Sequence, residues 1–141
     1  AAVGSAEAID TLLQVKSNFD SGHFHASYDA GSVALDSTPR TWIDQRNLIY
    51  QSRRDRILAV LPQIGLEAAC PKGSLYIWAR ASDGQGGSNY CARALDGAHV
   101  SLAPGTIYGP GGEDYVRIRG GESDAHIDEA LERLKAWWSA L

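Results

Sequence analysis

The chain has 141 residues, 44% of them hydrophobic and 21% charged, enough to bury roughly two thirds of its unfolded surface in one ordinary core. That composition excludes wholesale disorder and makes a second complete domain hard to fit. Thirteen basic against seventeen acidic residues give a net charge of -4, which supplies no general electrostatic footprint for nucleic acid.

Ser5 is placed to cap a first helix in which Ile9, Leu12 and Leu13 fall at i, i+3 and i+4, ending near Lys16. Ser17 to Gly22 reads as a turn-rich hexad, and Phe24, Tyr28, Ala30 and Val33 outline a second helix weakened by Gly31. Thr38 and Pro39 suit the cap and first position of a third, longest helix. That helix should end or kink at Pro62, with Gly65 closing the turn. Its basic cluster, Arg53, Arg54 and Arg56, reads as a solvated face. The longest strictly apolar run, Ile57 to Leu61, is far short of the roughly 20 residues a spanning helix needs, and a soluble, cytoplasmic protein is expected.

Beyond Gly65 the period shortens. Leu66 to Cys70 and Ser74 to Ala79 read as strands around a Pro71-Lys72-Gly73 turn, and Ala81 to Gly87 as loop. Ser88 is placed to cap a short helix running through Leu95. His99 to Ala103 and Tyr115 to Arg119 read as further strands, the latter with Val116 and Ile118 on one face and Tyr115, Arg117 and Arg119 on the other. Ser123 or Asp124 starts a terminal helix carrying the stripe Ile127, Ala130, Leu131, Leu134, Trp137, Trp138 and Leu141. Helices first, then strands interleaved with helices, point to an α+β layer after Thr38. The two helices before it need some other surface to cover them.

Several residue groups invite chemistry that their spacing does not support. His23 and His25, beside Asp20, stand two apart on an expected helix and so point to different faces, and no third ligand has suitable spacing, so no metal site is expected. Gly84 to Ser88 lacks the glycine-lysine-serine/threonine ending of a phosphate loop, and Ser21 has no nucleophile elbow around it. Cys70 and Cys91 match no ligand or redox spacing and read as small buried hydrophobes.

Three stretches in order carry a family resemblance. Pro71-Lys72-Gly73-Ser74-Leu75-Tyr76-Ile77-Trp78, Pro104-Gly105-Thr106-Ile107-Tyr108-Gly109 and Tyr115-Val116-Arg117-Ile118, followed by a terminal helix, resemble the small domain of class I/II aminotransferases. Ala2-Val3-Gly4-Ser5 resembles the segment after the cofactor-lysine motif, so the likeness covers nearly the whole chain. Lys16-Ser17-Asn18-x-x-Ser21-Gly22 and Gly109-Pro110-Gly111-Gly112-Glu113 are similar to LL-diaminopimelate aminotransferases.

The resemblance implies the C-terminal part of a fold-type I transferase that uses pyridoxal 5'-phosphate. It assigns residues 1–40 to the tail of the large cofactor-binding domain and 41–141 to the small domain. It also implies amino acid and 2-oxo acid substrates, a missing N-terminal large domain and a homodimer. Arg117 falls where the family places the arginine that grips the substrate α-carboxylate, and Asn18 where a residue reaches the neighbouring subunit's site. Arg119 departs from the family, which usually has a small residue there, so either arginine could line the cleft. From the residues alone, Arg117 could instead be an exposed strand arginine in an ion pair, and Asn18 a helix-terminating residue in a left-handed turn.

The family binds its cofactor through a lysine preceded by serine and followed some residues later by arginine. Lys16, Lys72 and Lys135 are the chain's lysines, and none has that context. The expectation is therefore a piece of an aminotransferase with no catalytic lysine of its own. The alternative is a non-catalytic aminotransferase-like module, either ligand-sensing or an interaction domain.

Overall fold

Helix α1 (Ala6–Phe19) begins at the expected cap, where Ser5 Oγ accepts a hydrogen bond from the Ala8 amide at 3.4 Å. It runs three residues past Lys16. Ser17 Oγ and Asn18 Nδ2 donate back to the Gln14 carbonyl at 2.9 and 2.8 Å, and Lys16 pairs with Asp20 at 2.7 Å, so residues that usually turn the chain instead extend the last turn. Helix α2 (His25–Ser37) passes through Gly31 unbroken. Thr38 Oγ1 donates to the Ala34 carbonyl at 2.6 Å and so closes α2 rather than capping the next helix. The Pro39 carbonyl opens helix α3 (Arg40–Val60) by accepting from the Trp42 and Ile43 amides.

The computed structural model describes residues 2–141, and the chain divides into two compact units, Ala1–Ile43 and Asp44–Leu141. In the first, α1 and α2 bury no residue, and Phe19, Phe24 and Leu35 are each about four fifths exposed.

In the second unit α3 stops ahead of Pro62, as expected, and a 3-10 turn over Leu61–Ile64 ends at Gly65 in the left-handed region, φ 68°. Packing imposes a second demand there. A Cβ on Gly65 would lie 2.1 Å from the Trp138 ring, while one on Gly97 would lie 2.4 Å from Trp137.

Strands β1 (Leu66–Glu67), β2 (Tyr76–Ala81), β3 (Ala103–Pro104) and β4 (Tyr115–Arg119) form an antiparallel sheet in the order β1-β2-β4-β3. The first two pair at their far ends, Leu66 with Ala81 and Glu67 with Arg80, so residues 68–75 make a wide loop instead of the tight hairpin expected. Helix α4 (Gly87–Ala98) is not capped by Ser88. Its N-cap is Gly86, and the Gly87 amide donates to the Glu113 carbonyl at 2.7 Å. His99 sits at φ 55° as the left-handed C-cap of α4, which shortens the expected His99 to Ala103 strand to Ala103–Pro104.

Helix α5 (Asp124–Trp138) is capped by Ser123 Oγ, which accepts from the His126 amide at 3.3 Å. Here the arginine cluster takes on a different role from the one its sequence implied. Arg53 bonds Asp124 at 2.6 Å and Arg56 bonds Asp128 at 2.6 Å, so α3 holds α5 across 71 and 72 residues of chain. The Arg53 hydrogen bond holds the Asp124 carboxyl below its usual range.

One face of the sheet, with Ile77, Ala79, Val116 and Ile118, is buried beneath α4, α5 and the end of α3. Tyr90 is its largest fully buried side chain. Its hydroxyl donates to the Ile64 carbonyl at 2.8 Å, and burial pushes the phenol well above its ordinary pKa. Tyr90→Phe should leave that carbonyl unpaired in the core and cost about 2 kcal/mol in urea unfolding. An unchanged midpoint would show that the bond contributes nothing. Cys91 is buried and its thiol is pushed up to about 11, whereas Cys70 is exposed, contrary to expectation, on the wide 68–75 loop.

Candidate substrate-binding site

The period-two alternation of β2 and β4 that buries Ile77 and Val116 turns Tyr76, Trp78, Arg80, Tyr115, Arg117 and Arg119 to the opposite face. Within the second unit this face leaves Tyr76, Trp78, Arg80 and Arg119 exposed. Arg117 stands in its middle, paired across the sheet with Trp78 on one side and Ala103 on the other.

Two aromatic rings flank the Arg117 guanidinium. Its Cζ lies 4.2 Å from the ring centroid of Tyr76 and 4.4 Å from that of Tyr108. Tyr76 comes from β2. Tyr108 comes from a 3-10 turn, Gly105–Tyr108, that follows β3 directly. Gly105 lets that turn lie close to the sheet: a Cβ there would meet the Gly112 carbonyl oxygen at 2.3 Å, the Tyr115 oxygen at 2.8 Å and the Trp78 ring at 3.0 Å. Trp78 stacks on Tyr115 at 5.4 Å and meets Tyr108 edge-on at 5.7 Å, completing an aromatic wall.

Among the described residues no carboxylate lies within ion-pair distance of Arg117, although the neighbouring Arg80 pairs with Asp114 at 3.5 Å. Arg117 is half-buried, and its guanidinium, with Cζ over two rings, offers a planar edge of N–H donors. That edge carries parallel donors matched to the two oxygens of a carboxylate.

Asn18 lies in the last turn of α1, in the other unit, with its amide on Gln14, so it is neither a helix-terminating nor a left-handed residue. His23 and His25 pack their rings against Tyr28 at 5.8 and 6.3 Å. Among the described residues no group of three or more histidine, cysteine or acidic side chains could hold a metal. No helix among them is long and apolar enough to cross a membrane.

Lys16 is paired with Asp20, Lys135 with Glu132, and Lys72 is exposed on the 68–75 loop. The residues that flank Arg117 in the second unit, Tyr76, Trp78, Ala103 and Tyr108, include no lysine, so this wall itself offers no anchor for pyridoxal phosphate. Tyr76 and Tyr108 are the site residues that sequence reasoning missed. The signal was available, since both belong to the motif stretches that flank Arg117 in the chain.

No family model matches the chain. Over 136 residues it is 38% identical to an LL-diaminopimelate aminotransferase of Dehalococcoides mccartyi, covering 96% of this chain and 35% of that protein. Among solved structures, a probable N-succinyldiaminopimelate aminotransferase of Thermus thermophilus matches with a TM-score of 0.83 at 29% identity, over 99% of this chain and 36% of its own. An aspartate aminotransferase of Rhizobium meliloti matches with a TM-score of 0.80 at 30% identity, over 96% and 36%. The chain thus spans about a third of the length of these relatives. Sequence and fold agree in placing it with the fold-type I aminotransferases, as their C-terminal part.

Proposed function

We propose that this chain supplies the substrate-holding wall of an aminotransferase that moves an amino group from an α-amino acid to a 2-oxo acid, with Arg117 gripping the α-carboxylate. The observation that carries the reading is the Arg117 guanidinium, held between Tyr76 and Tyr108 with no carboxylate partner among the described residues. Pyridoxal phosphate supplies the electron sink in enzymes of this type. In this reading its lysine lies on sequence outside this chain, and the chain alone is inactive. What the present residues contribute is orientation: a two-point grip on the carboxylate fixes how the α-carbon is presented.

The remaining assignments rest on the resemblance. Residues 1–40 are the end of the large domain and 41–141 the small domain. The uncovered apolar side chains of α1 and α2 pack on the rest of the polypeptide. Asn18 serves a neighbouring subunit's site in a homodimer, and substrates of the diaminopimelate type follow from the relatives' names.

The test is amino-group transfer by the full-length protein. It should require pyridoxal phosphate and an α-carboxylate on the donor. Turnover of simple amines at the rate of the matching amino acids would remove the reading.

A further inference from the structure

Helix α3 carries two sets of cations. Arg53 and Arg56 are held by Asp124 and Asp128 of α5, whereas Arg46 and Arg54 line a pocket that the 68–75 loop borders with Lys72 and Ser74. The pocket measures about 440 Å³, within the roughly 300–1,000 Å³ of small-molecule sites, and lies wholly inside the second unit. Among the described residues its lining holds three cations and no carboxylate side chain, in a chain whose net charge is -4. Arg117, Tyr76 and Tyr108 do not line it.

The sequence builds this lining from a helix stripe and a loop. Arg46, Tyr50 and Arg54 fall at i, i+4 and i+8 and so share one face of α3. Arg54 is half-buried and bonds the adjacent Asp55 through Nε at 2.8 Å and Nη2 at 2.6 Å, which leaves Nη1 outside that pair. Lys16 and Lys135 are paired with Asp20 and Glu132, whereas Lys72 is exposed and has no acidic partner within 4 Å among the described residues. Ser74 Oγ accepts from the Tyr76 amide at 3.3 Å, so its hydroxyl proton is left to donate.

We propose that this pocket binds a diphosphate group, either free or as the tail of an ester. Cations gathered around one pocket repel each other unless an anion meets them. A phosphate monoester carries about -1.5 to -2 charges at neutral pH and leaves the three cations partly unmatched, whereas two linked phosphates carry about three. An arginine N–H edge and a lysine point charge are both phosphate donors, and the Ser74 hydroxyl adds a neutral one.

Calorimetric titration of the full-length protein with pyrophosphate in metal-free buffer tests the site. Pyridoxal phosphate is bound beforehand, so that the cofactor's own phosphate site is filled. One pyrophosphate per chain should bind, at least tenfold more tightly than orthophosphate. The double variant Arg54→Gln/Lys72→Gln should weaken it tenfold or more. Lys72→Glu alters an exposed, unpaired loop residue and should weaken it as much, which covers the case in which the double variant fails to fold. Arg117→Lys should leave the affinity unchanged. Adenosine diphosphate, titrated alongside, identifies the source: tighter binding than pyrophosphate marks an ester, weaker binding the free anion. No binding, equal affinity for orthophosphate, binding that survives Lys72→Glu, or binding lost in Arg117→Lys each overturns the proposal.

Discussion

Arg117→Lys in the full-length protein should lower kcat/KM for α-amino acids by about a hundredfold, the equivalent of about 3 kcal/mol of lost interaction. The argument begins with shape rather than charge, because lysine keeps the charge. A guanidinium is a plane, and at this position both of its neighbours are rings: Tyr76 at 4.2 Å and Tyr108 at 4.4 Å from Cζ. An ammonium at the end of a flexible stem neither fills that slot nor presents two parallel donors. One of the two hydrogen bonds to the carboxylate is lost and the other is no longer oriented. If the grip acts equally on ground and transition states, KM should rise and kcat should hold; if it aligns the reacting carbon, kcat should fall with it. Steady-state kinetics on a variant with an unchanged melting temperature separate these cases. Unchanged kcat/KM would take the carboxylate grip away from Arg117.

The second large effect is expected at Gly105. An added Cβ would stand 2.3 Å from the Gly112 carbonyl oxygen and 2.8 Å from that of Tyr115, both main-chain atoms fixed by the fold. Neither can rotate away as a side chain would. Gly105→Ala should therefore destabilise the chain by about 3 kcal/mol, the upper range for overpacking a core, and lower Tm by about 10 °C. The same displacement should carry Tyr108 off Arg117, since Tyr108 ends the turn that Gly105 begins. In the full-length protein it should also weaken binding of α-amino acids. A variant that melts normally would show that the loop before β4 gives way, and that the close approach is not needed.

Elements fixed by their own residues were legible in advance. Strand β4 was expected over Tyr115 to Arg119, and Ser123 caps α5 as its sequence implies. The end of α3 follows from Pro62 and Gly65. Elements fixed by distant partners were not. Gly86 displaced Ser88 as the cap of α4 because the Glu113 carbonyl, far along the chain, receives the Gly87 amide. Arg53 and Arg56 read as solvated because Asp124 and Asp128 are some seventy residues away. At the site, Arg117 was placed by resemblance and by strand alternation, but its two flanking tyrosines arrive from β2 and from the turn after β3. Only the pairing of Tyr76 to Arg119 and of Ala103 to Arg117 brings them beside it.

The contacts of Gly65 with Trp138 and of Gly97 with Trp137 join positions far apart in the sequence. In each pair the indole occupies the space a side chain on the glycine would take. The tryptophans also meet each other and Tyr90 at ring-centroid distances of 5.5 to 5.7 Å, so neither indole can retreat without disturbing the other. Bulk can enter at position 97 only if it first leaves position 137, and at position 65 the left-handed backbone opposes a side chain even after Trp138 has given way. The intermediate on either route carries an unfilled cavity or a collision. These four residues are thus confined to a narrow set of joint exchanges, and descent with modification should have left them to change together or not at all.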